Sequence, residues 1–323
     1  MKVLVTGGSG FIGTNLISIL KDSCEVLNVD IKPPVNKLQM NYWKKSDILE
    51  KKHLGEQFEA FKPNMVVHLA ARADVDGKTL DDYKTNTEGT ANVLEAVKNT
   101  SSIERVIITS TQFVNQYNGI PQHDEDYAPH TIYGESKVIS EKLTRKADLK
   151  CTWTIIRPTN VWGPWHWRYP YEFWKIIAEG KYFHPKNQSV FRSYGYVGNV
   201  CSQISRILEI DEYLVNKKVY YVGDESINIL DWVNEFSIQQ TGKNVKQVDK
   251  SLLKMIALSG DILQLFNIKF PLTSSRFKSM TTSNATPMSK TFEVLGLPQY
   301  DLKEGVRKTI EWLKEYHPNL VRK

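Results

Sequence analysis

Continuous apolar runs alternate with helical patterns along the first half of the chain. Lys2-Val3-Leu4-Val5-Thr6 reads as a strand buried on both faces, and Thr14 to Leu20 continues as a helix. Glu25 to Val29 is a second such strand, ending at Asp30. Met65 to Leu69 and Arg105 to Thr109 are two more, with a helical pattern near Thr87 to Lys98 between them. Thr152 to Arg157 follows a helix expected over about 134–148. Strands apolar on both faces and separated by helices require a parallel sheet covered on both sides, an α/β doubly wound architecture. Beyond Pro158 the rhythm breaks. Trp162, Trp165, Trp167, Tyr169, Tyr171 and Trp174 crowd together, a texture read as core or interface before ligand contact. Val219 to Val222 returns as a strand, and Ile229 to Gln240 and Leu302 to Tyr316 read as helices. Residues 269–290, rich in Ser, Thr and Pro, read as an ordered loop region and a candidate lid.

The turn after the first strand carries the first chemistry. Thr6-Gly7-Gly8-Ser9-Gly10-Phe11-Ile12-Gly13 lies between a strand and a helix. There Gly7 permits a tight turn, Gly10 lets the backbone amides running into Phe11 and Ile12 approach a pyrophosphate, and Gly13 allows close packing. Asp30, at the end of the second strand, suits a carboxylate that accepts the ribose hydroxyls of NAD and repels a 2′-phosphate. Lys32 beside it leaves room for NADP. The expected fold is therefore a Rossmann-type doubly wound parallel sheet with a smaller mixed α/β lobe. Residues 1–160, with a return segment at about 190–223, form the NAD-binding domain, and about 161–189 and 224–323 form the substrate lobe.

A second signal is Tyr133-Gly134-Glu135-Ser136-Lys137. Positions four apart share a helix face, so the Lys137 ammonium can lie beside the Tyr133 phenol. A free tyrosine titrates near ~10, and a fixed cation beside it favours the phenolate, bringing Tyr133 toward the range of a general base. The turn and the pair together indicate nicotinamide redox chemistry.

Composition narrows the class. With 323 residues, 41% of them hydrophobic, the chain can bury a large core in two lobes. Its net charge of +6 comes from lysines scattered among acidic residues, without the basic stripe of a nucleic-acid binder. Cys24, Cys151 and Cys201 are isolated and lack metal spacing, as do His166 and His184; no metal site is expected, and a reducing cytoplasm fits. No apolar run approaches a membrane span, so no membrane partner is expected.

With these residues in place the chain resembles the extended short-chain dehydrogenase/reductases, specifically the NAD-dependent epimerase/dehydratase family acting on nucleotide sugars. The resemblance covers nearly the whole chain. Beside the turn and the Tyr/Lys pair it rests on Asp47-Ile48, His68-Leu69-Ala70-Ala71, Asn86-Thr87-Glu88-Gly89-Thr90 and Glu141. It continues through Arg157-Pro158-Thr159-Asn160-Val161-Trp162-Gly163-Pro164 and Arg192-Ser193-Tyr194-Gly195-Tyr196-Val197. It implies that Asp47 and Ile48 form the adenine pocket and that Leu69, Ala70, Ala71, Asn86, Thr109 and Pro158 line the cofactor with Tyr133 and Lys137. It also implies that Thr111, in Thr109-Ser110-Thr111-Gln112-Phe113-Val114, relays the proton with Tyr133 and Lys137. Asn160 and Arg192 become contacts to the diphosphate of a nucleotide sugar; Arg276, where the match is loose, is either a second such arginine or a surface charge. Family members commonly dimerise through two helices, here near 87–98 and 134–148, which implies a homodimer.

Three departures shape the expected reaction. Dehydratases of this family carry acidic residues just after the threonine, where this chain has Gln112 and Phe113, which cannot exchange the protons of water elimination. These two residues are instead expected to face the sugar. Asn115-Gln116 and Asn199 also replace common family residues. The expected activity is an NAD-dependent nucleotide-sugar epimerase acting at C4 through a transient keto sugar. The alternative is an NAD(P)H-dependent reductase of a 4-keto-6-deoxy sugar. A non-catalytic cofactor sensor or scaffold is a third class, and retention of the Tyr/Lys pair argues against it.

Overall fold

The computed structural model describes residues 1–117, 119–166, 173–268 and 270–321. Its elements begin with β1 (Lys2–Thr6), α1 (Phe11–Leu20), β2 (Glu25–Asp30), β3 (Trp43–Lys45), α2 (Lys51–Phe61), β4 (Met65–His68), α3 (Lys84–Asn99) and β5 (Arg105–Thr109). Next come α4 (Ile132–Lys146), β6 (Thr152–Pro158), β7 (Asn160–Trp162), α5 (Lys175–Ala178), β8 (Phe183–Pro185), β9 (Phe191–Tyr196), α6 (Val197–Glu209) and α7 (Glu212–Val215). The chain closes with β10 (Lys218–Val222), β11 (Ser226–Asn228), α8 (Ile229–Thr241), β12 (Lys246–Val248), α9 (Lys250–Leu265), α10 (Ser274–Thr281), α11 (Ser289–Leu295) and α12 (Leu302–Tyr316).

Two compact units divide these elements. The first comprises Met1–Val161, Val197–Asp224 and Pro287–Gln299; the second comprises Trp162–Tyr196, Glu225–Thr286 and Tyr300–Lys323. The return into the first unit thus begins at Val197, and a further stretch around α11 rejoins it, packing on α6 and β10.

The first unit is built on a seven-stranded sheet in the order β10-β6-β5-β4-β1-β2-β3, parallel throughout. Val3, Leu4 and Val5, Val66 and Val67, Val106 to Ile108, and Ile155 and Ile156 are fully buried, which is why each strand reads as an unbroken apolar run. The order reverses beside β1, whose neighbours are β2 and β4. In open α/β sheets, ligands bind outside the carboxyl ends of the strands at such a reversal. The turn after β1, Asp30 after β2, Asp47 after β3, Leu69 after β4, Thr111 after β5 and Asn160 after β6 all lie at that edge.

The second unit is aromatic at its centre. Trp162, Trp174, Trp232 and Phe236 are buried together, with Trp174 and Phe236 ring centroids 4.0 Å apart and Tyr194 stacked on Trp232 at 4.4 Å. Trp165 packs on Trp312 and Tyr316. The described members of the tryptophan-rich stretch are therefore core; Trp167, Tyr169 and Tyr171 lie outside the described residues. Two features differ from expectation. Within the stretch read as a loop, α10 spans Ser274–Thr281, capped by Thr273, and α11 starts at Ser289; the described residues between them are irregular, as expected. A hydroxyl N-cap inside a Ser/Thr-rich run starts a helix as readily as it decorates a loop. The helix α9 was not anticipated, because its apolar residues fall on both faces and blur the amphipathic period.

Candidate active site

The glycine turn is shaped by contact. Gly7 has φ +72°, and a Cβ there would lie 2.5 Å from the Ala70 nitrogen, so the turn packs directly on the backbone after β4 and admits only glycine. A Cβ on Gly13 would meet the Gly8 Cα at 2.5 Å, and one on Gly8 would run into the Asn28 side chain. Gly10 is the N-cap of α1 and offers no side chain to the first-turn amides, which in any helix lack intrahelical acceptors. That leaves a cradle for an anion at the positive end of the helix dipole. Asp30 faces this turn: its carboxylate accepts from the Ser9 amide at 3.1 Å and from the Lys32 amide at 2.9 Å. Burial raises its pKa, against the pull of those two amides. Asp47 accepts from the Leu49 amide at 2.9 Å just beyond β3, and Ile48 is buried against Gly89.

Beside the turn, His68 closes β4. Its Nδ1 lies 2.7 Å from the Thr6 hydroxyl and its Nε2 3.1 Å from the Thr90 hydroxyl. Burial, with the Lys137 charge adding to it, pushes this imidazole down to about 3, so it is a neutral strut between β1, β4 and α3. Leu69 donates its amide to the Thr6 carbonyl at 3.0 Å. Asn86 is buried, and its side chain bonds the Arg72 backbone from both ends and the Ser136 hydroxyl. It fixes the Ala71–Arg72 loop against α4.

The reactive pair stands on α4 and at the end of β5. Thr131 caps α4, accepting from the Gly134 amide at 2.9 Å, and so starts the helix one turn before Lys137. Gly134 is needed there because a Cβ would strike the Phe113 carbonyl. Thr111 and Tyr133 are both buried, and the Thr111 hydroxyl favours the ionised form of the Tyr133 phenol. The Phe113 ring meets the Tyr133 ring edge-on at 6.2 Å, and the Tyr83 ring lies 6.0 Å away. Lys137, buried, donates its Nζ to the Thr109 carbonyl at 2.9 Å. The Thr109 hydroxyl oxygen beside it is buried without a hydrogen-bond partner, and Pro158 closes β6.

The protonation states differ from the sequence expectation. Burial pushes the Tyr133 phenol up to about 12, the Thr111 hydroxyl opposing and Tyr83 adding to the rise. Burial pulls the Lys137 ammonium down to about 8, against the Glu141 charge. Desolvation decides the Tyr133 shift, and the lysine donates instead to the Thr109 carbonyl. In the protein by itself Tyr133 is therefore a neutral acid, and the phenolate requires additional positive charge.

Behind this pair lies a buried network that motif matching named without giving it a role. Arg157 grips both oxygens of Glu141, at 2.8 and 2.7 Å, while Ser110 donates to Glu141 at 2.5 Å and Tyr127 at 2.9 Å. Asn115 accepts from Tyr221 at 2.5 Å and donates to the Asp126 carbonyl. The strand ends and the loop carrying Thr111 are thereby tied to α4 next to Lys137. Asn199 donates to Asp224 at 2.8 Å on α6.

Arg192 and Arg276 belong to the second unit. Arg192 is buried on β9 and donates to the Ser279 carbonyl at 2.9 Å; Arg276 on α10 donates to the Pro271 carbonyl at 2.7 Å. Arg276 also lines a cavity of about 530 Å³ whose walls include Tyr194, Trp232, Leu253, Ile256 and Met280. His184, which lacks metal spacing, is buried in β8, and burial pulls its pKa down to about 4. Among the described residues no cluster could hold a metal ion.

The turn, the amide-rich start of α1, Asp30 and the unpartnered Thr109 hydroxyl fit a dinucleotide. They supply an anion cradle, a ribose acceptor and a spare polar atom beside Lys137.

Comparison with known proteins gives a concordant result. The model of the NAD dependent epimerase/dehydratase family matches residues 3–223. An N-acetyl-α-D-glucosaminyl-diphospho-ditrans,octacis-undecaprenol 4-epimerase of Escherichia coli O157:H7 is 27% identical over 96% of this chain and 95% of its own length. A UDP-glucose 4-epimerase of Vibrio cholerae is 35% identical over about half of each chain, 50% and 52%. The crystal structure of a UDP-glucuronic acid 4-epimerase from Bacillus cereus, with UDP-glucuronic acid and NAD, superposes with a TM-score of 0.75 at 22% identity. That alignment covers 98% of this chain and 100% of the other.

Proposed function

Since the chain belongs to the NAD dependent epimerase/dehydratase family, we propose that it is an NAD-dependent 4-epimerase of a diphosphate-linked sugar, with Thr111, Tyr133 and Lys137 as its catalytic residues. The observation that carries this reading is the burial of Thr111 and Tyr133 together at the carboxyl edge of β5, with Thr111 favouring the phenolate and Lys137 buried beside them. The cradle after β1 holds the pyrophosphate of NAD, Asp30 its ribose, and the positions at Asp47, Ile48, Leu69, Ala70, Ala71, Thr109 and Pro158 line its length. When bound, NAD supplies a reversible hydride acceptor. Thr111 holds the sugar oxygen, and Tyr133 takes the hydroxyl proton as a carbonyl forms, then returns it. Lys137 lowers the cost of the phenolate, which this dry site otherwise opposes.

Gln112 and Phe113 stand where a dehydratase of the family needs an acid and a base, so we assign no water elimination to the site. As the resemblance implies, Asn160 in the first unit and Arg192 and Arg276 in the second are each proposed as diphosphate contacts, the arginines because a planar guanidinium meets two oxygens at once. We further propose a homodimer through α3 and α4, which pack on each other and present the half-buried Ile139 and Leu143. Light scattering should give twice the 37.1 kDa chain mass; a monomer at micromolar concentration overturns it.

A second reading concerns what the diphosphate is attached to. The cavity beside Arg276 has largely apolar walls, and the Escherichia coli relative acts on a polyprenyl-linked sugar. Both make a lipid-linked diphosphosugar a second candidate beside the nucleotide sugar of the UDP-glucose relative. The deciding experiment incubates the protein with NAD and, in parallel, UDP-sugars and short-chain prenyl-diphosphosugars, following product NMR and the absorbance of reduced nicotinamide. Cofactor-neutral inversion at C4 supports the epimerase, and the substrate that turns over identifies the carrier. Stoichiometric consumption of NAD(P)H would instead make the protein the 4-keto-6-deoxysugar reductase.

A further inference from the structure

The helix α9 is apolar on both faces. Leu253, Ala257 and Gly260 are buried in the second unit, and a Cβ on Gly260 would collide with the Leu272 carbonyl, so this face is seated. On the other side Leu252, Met255, Leu258, Ile262 and Leu265, together with Phe266 and Ile268 just beyond the helix, are 45–82% exposed. The five helical positions are spaced by three or four residues or their sums and form one stripe. Single exposed apolar side chains need no explanation, but seven in nineteen consecutive positions make a patch of the kind that marks an interaction surface.

The charges around the stripe have one dominant sign. Lys250 and Lys254 lie on the helix, Lys243 and Lys246 just before it, and Lys278 on α10, which packs against α9; all five are exposed. Within 250–268 the single carboxylate is Asp261, which is half-buried and accepts from the Ser274 amide at 3.0 Å; Asp249 stands at the N-cap. A second copy laid on this face would bring lysines toward lysines with little carboxylate to answer them. Lipid headgroups supply the missing negative charge, while acyl chains take Leu, Ile, Met and Phe without demanding shape. Lysine stems can also lie along the apolar surface with their heads at the phosphates.

We propose that the outer face of α9, continued by Phe266 and Ile268, docks the protein on the surface of a bilayer containing anionic lipids. The helix lies in the interfacial plane: no helix among the described residues is long and apolar enough to cross a membrane. The expectation that a membrane plays no part came from the want of a span, which does not bear on surface docking. The proposal does not depend on the epimerase reading, and its test uses no substrate or cofactor.

The test is flotation of the full chain with vesicles of phosphatidylcholine mixed with phosphatidylglycerol, against vesicles of phosphatidylcholine alone. The expected result is binding to the mixed vesicles at least tenfold tighter than to the neutral ones, weakened by added salt. A Leu258→Glu, Ile262→Glu double variant should lose at least tenfold in binding while keeping its melting temperature, because neither side chain is buried. Lys250→Glu with Lys254→Glu should abolish the preference for phosphatidylglycerol. Wild-type protein that stays with the soluble fraction, or a double variant that floats as well as wild type, overturns the proposal. So does light scattering in which the double substitution converts a dimer to a monomer, because that assigns the face to a second copy.

Discussion

The Thr111 hydroxyl acts on the Tyr133 phenol beyond the end of β5, favouring its ionised form, and both side chains are buried. Twenty-two residues separate them in sequence, and two independent caps bring them together. Thr131 starts α4, and Thr111 itself caps the short helical turn over Gln112–Val114. A proton acceptor and a hydroxyl partner in contact form the minimal apparatus for drawing a proton from a sugar alcohol.

Tyr133→Phe should therefore lower turnover by about a hundred- to ten-thousand-fold, the range a positioned acid–base group supplies, and leave NAD affinity within a few-fold. The lost oxygen is the proton acceptor, and the ring keeps its edge contact with Phe113. Turnover and cofactor titration on the same preparation check this. A variant near the wild-type rate would remove Tyr133 from the mechanism.

Lys137→Met separates function from stability. The ammonium is held at about 8 in the fold against an ordinary 10.5. A base whose folded pKa is depressed costs stability wherever it is charged in both states, fully below the folded value and not at all above the unfolded one. The cost is roughly 3 kcal/mol at 1.36 kcal/mol per pKa unit, offset by about 1 kcal/mol for the hydrogen bond to the Thr109 carbonyl. At neutral pH the methionine variant should be about 2 kcal/mol more stable and inactive, and its advantage should fade as pH rises from about 8 to 10.5. Denaturant titrations across that range are the measurement; a variant destabilised at pH 7 refutes the buried-charge account.

Asp30→Ala should shrink or reverse the preference for NAD over NADP. The carboxylate faces the glycine turn through the Ser9 amide, where it accepts ribose hydroxyls and repels a 2′-phosphate, and its removal lifts both effects. Lys32, adjacent on the chain, is then available to the phosphate. The ratio of the two dissociation constants is the readout, and an unchanged ratio would place ribose recognition elsewhere.

The sheet was legible because both-face burial leaves an unmistakable trace: Val3 to Val5 and Val106 to Ile108 read as strands and are fully buried. The glycine turn and the four-residue Tyr–Lys spacing were legible because sterics and helix periodicity constrain them locally. What escaped was set by partners distant in sequence. Nothing near Glu141 announces Arg157 and Ser110, sixteen and thirty-one residues away, as the groups that neutralise it. Tyr133 illustrates the same limit: spacing brought a cation to mind, whereas depth of burial decides the sign of the shift. For α9, apolar residues on both faces removed the periodic contrast on which a helix reading depends.

The last expectation concerns a reaction the site should not perform. Elimination of water from a hexose needs one group to take the C5 proton and another to protonate the departing oxygen, both within reach of the sugar. The two positions after Thr111 hold Gln112, which is buried, and Phe113, whose ring closes against Tyr133 and His130. An amide and a phenyl ring have no proton to exchange near neutral pH. Long incubation with NAD and UDP-, GDP-, CDP- or dTDP-hexoses should accordingly yield no 4-keto-6-deoxy product. Replacing Gln112 and Phe113 by Asp and Glu should introduce carboxylates beside Tyr133 and gives the variant in which a gain of elimination would first be seen. Mass spectrometry of the wild-type reaction decides the matter: a product lighter than its substrate by one water would show that the elimination has a catalyst elsewhere in the site.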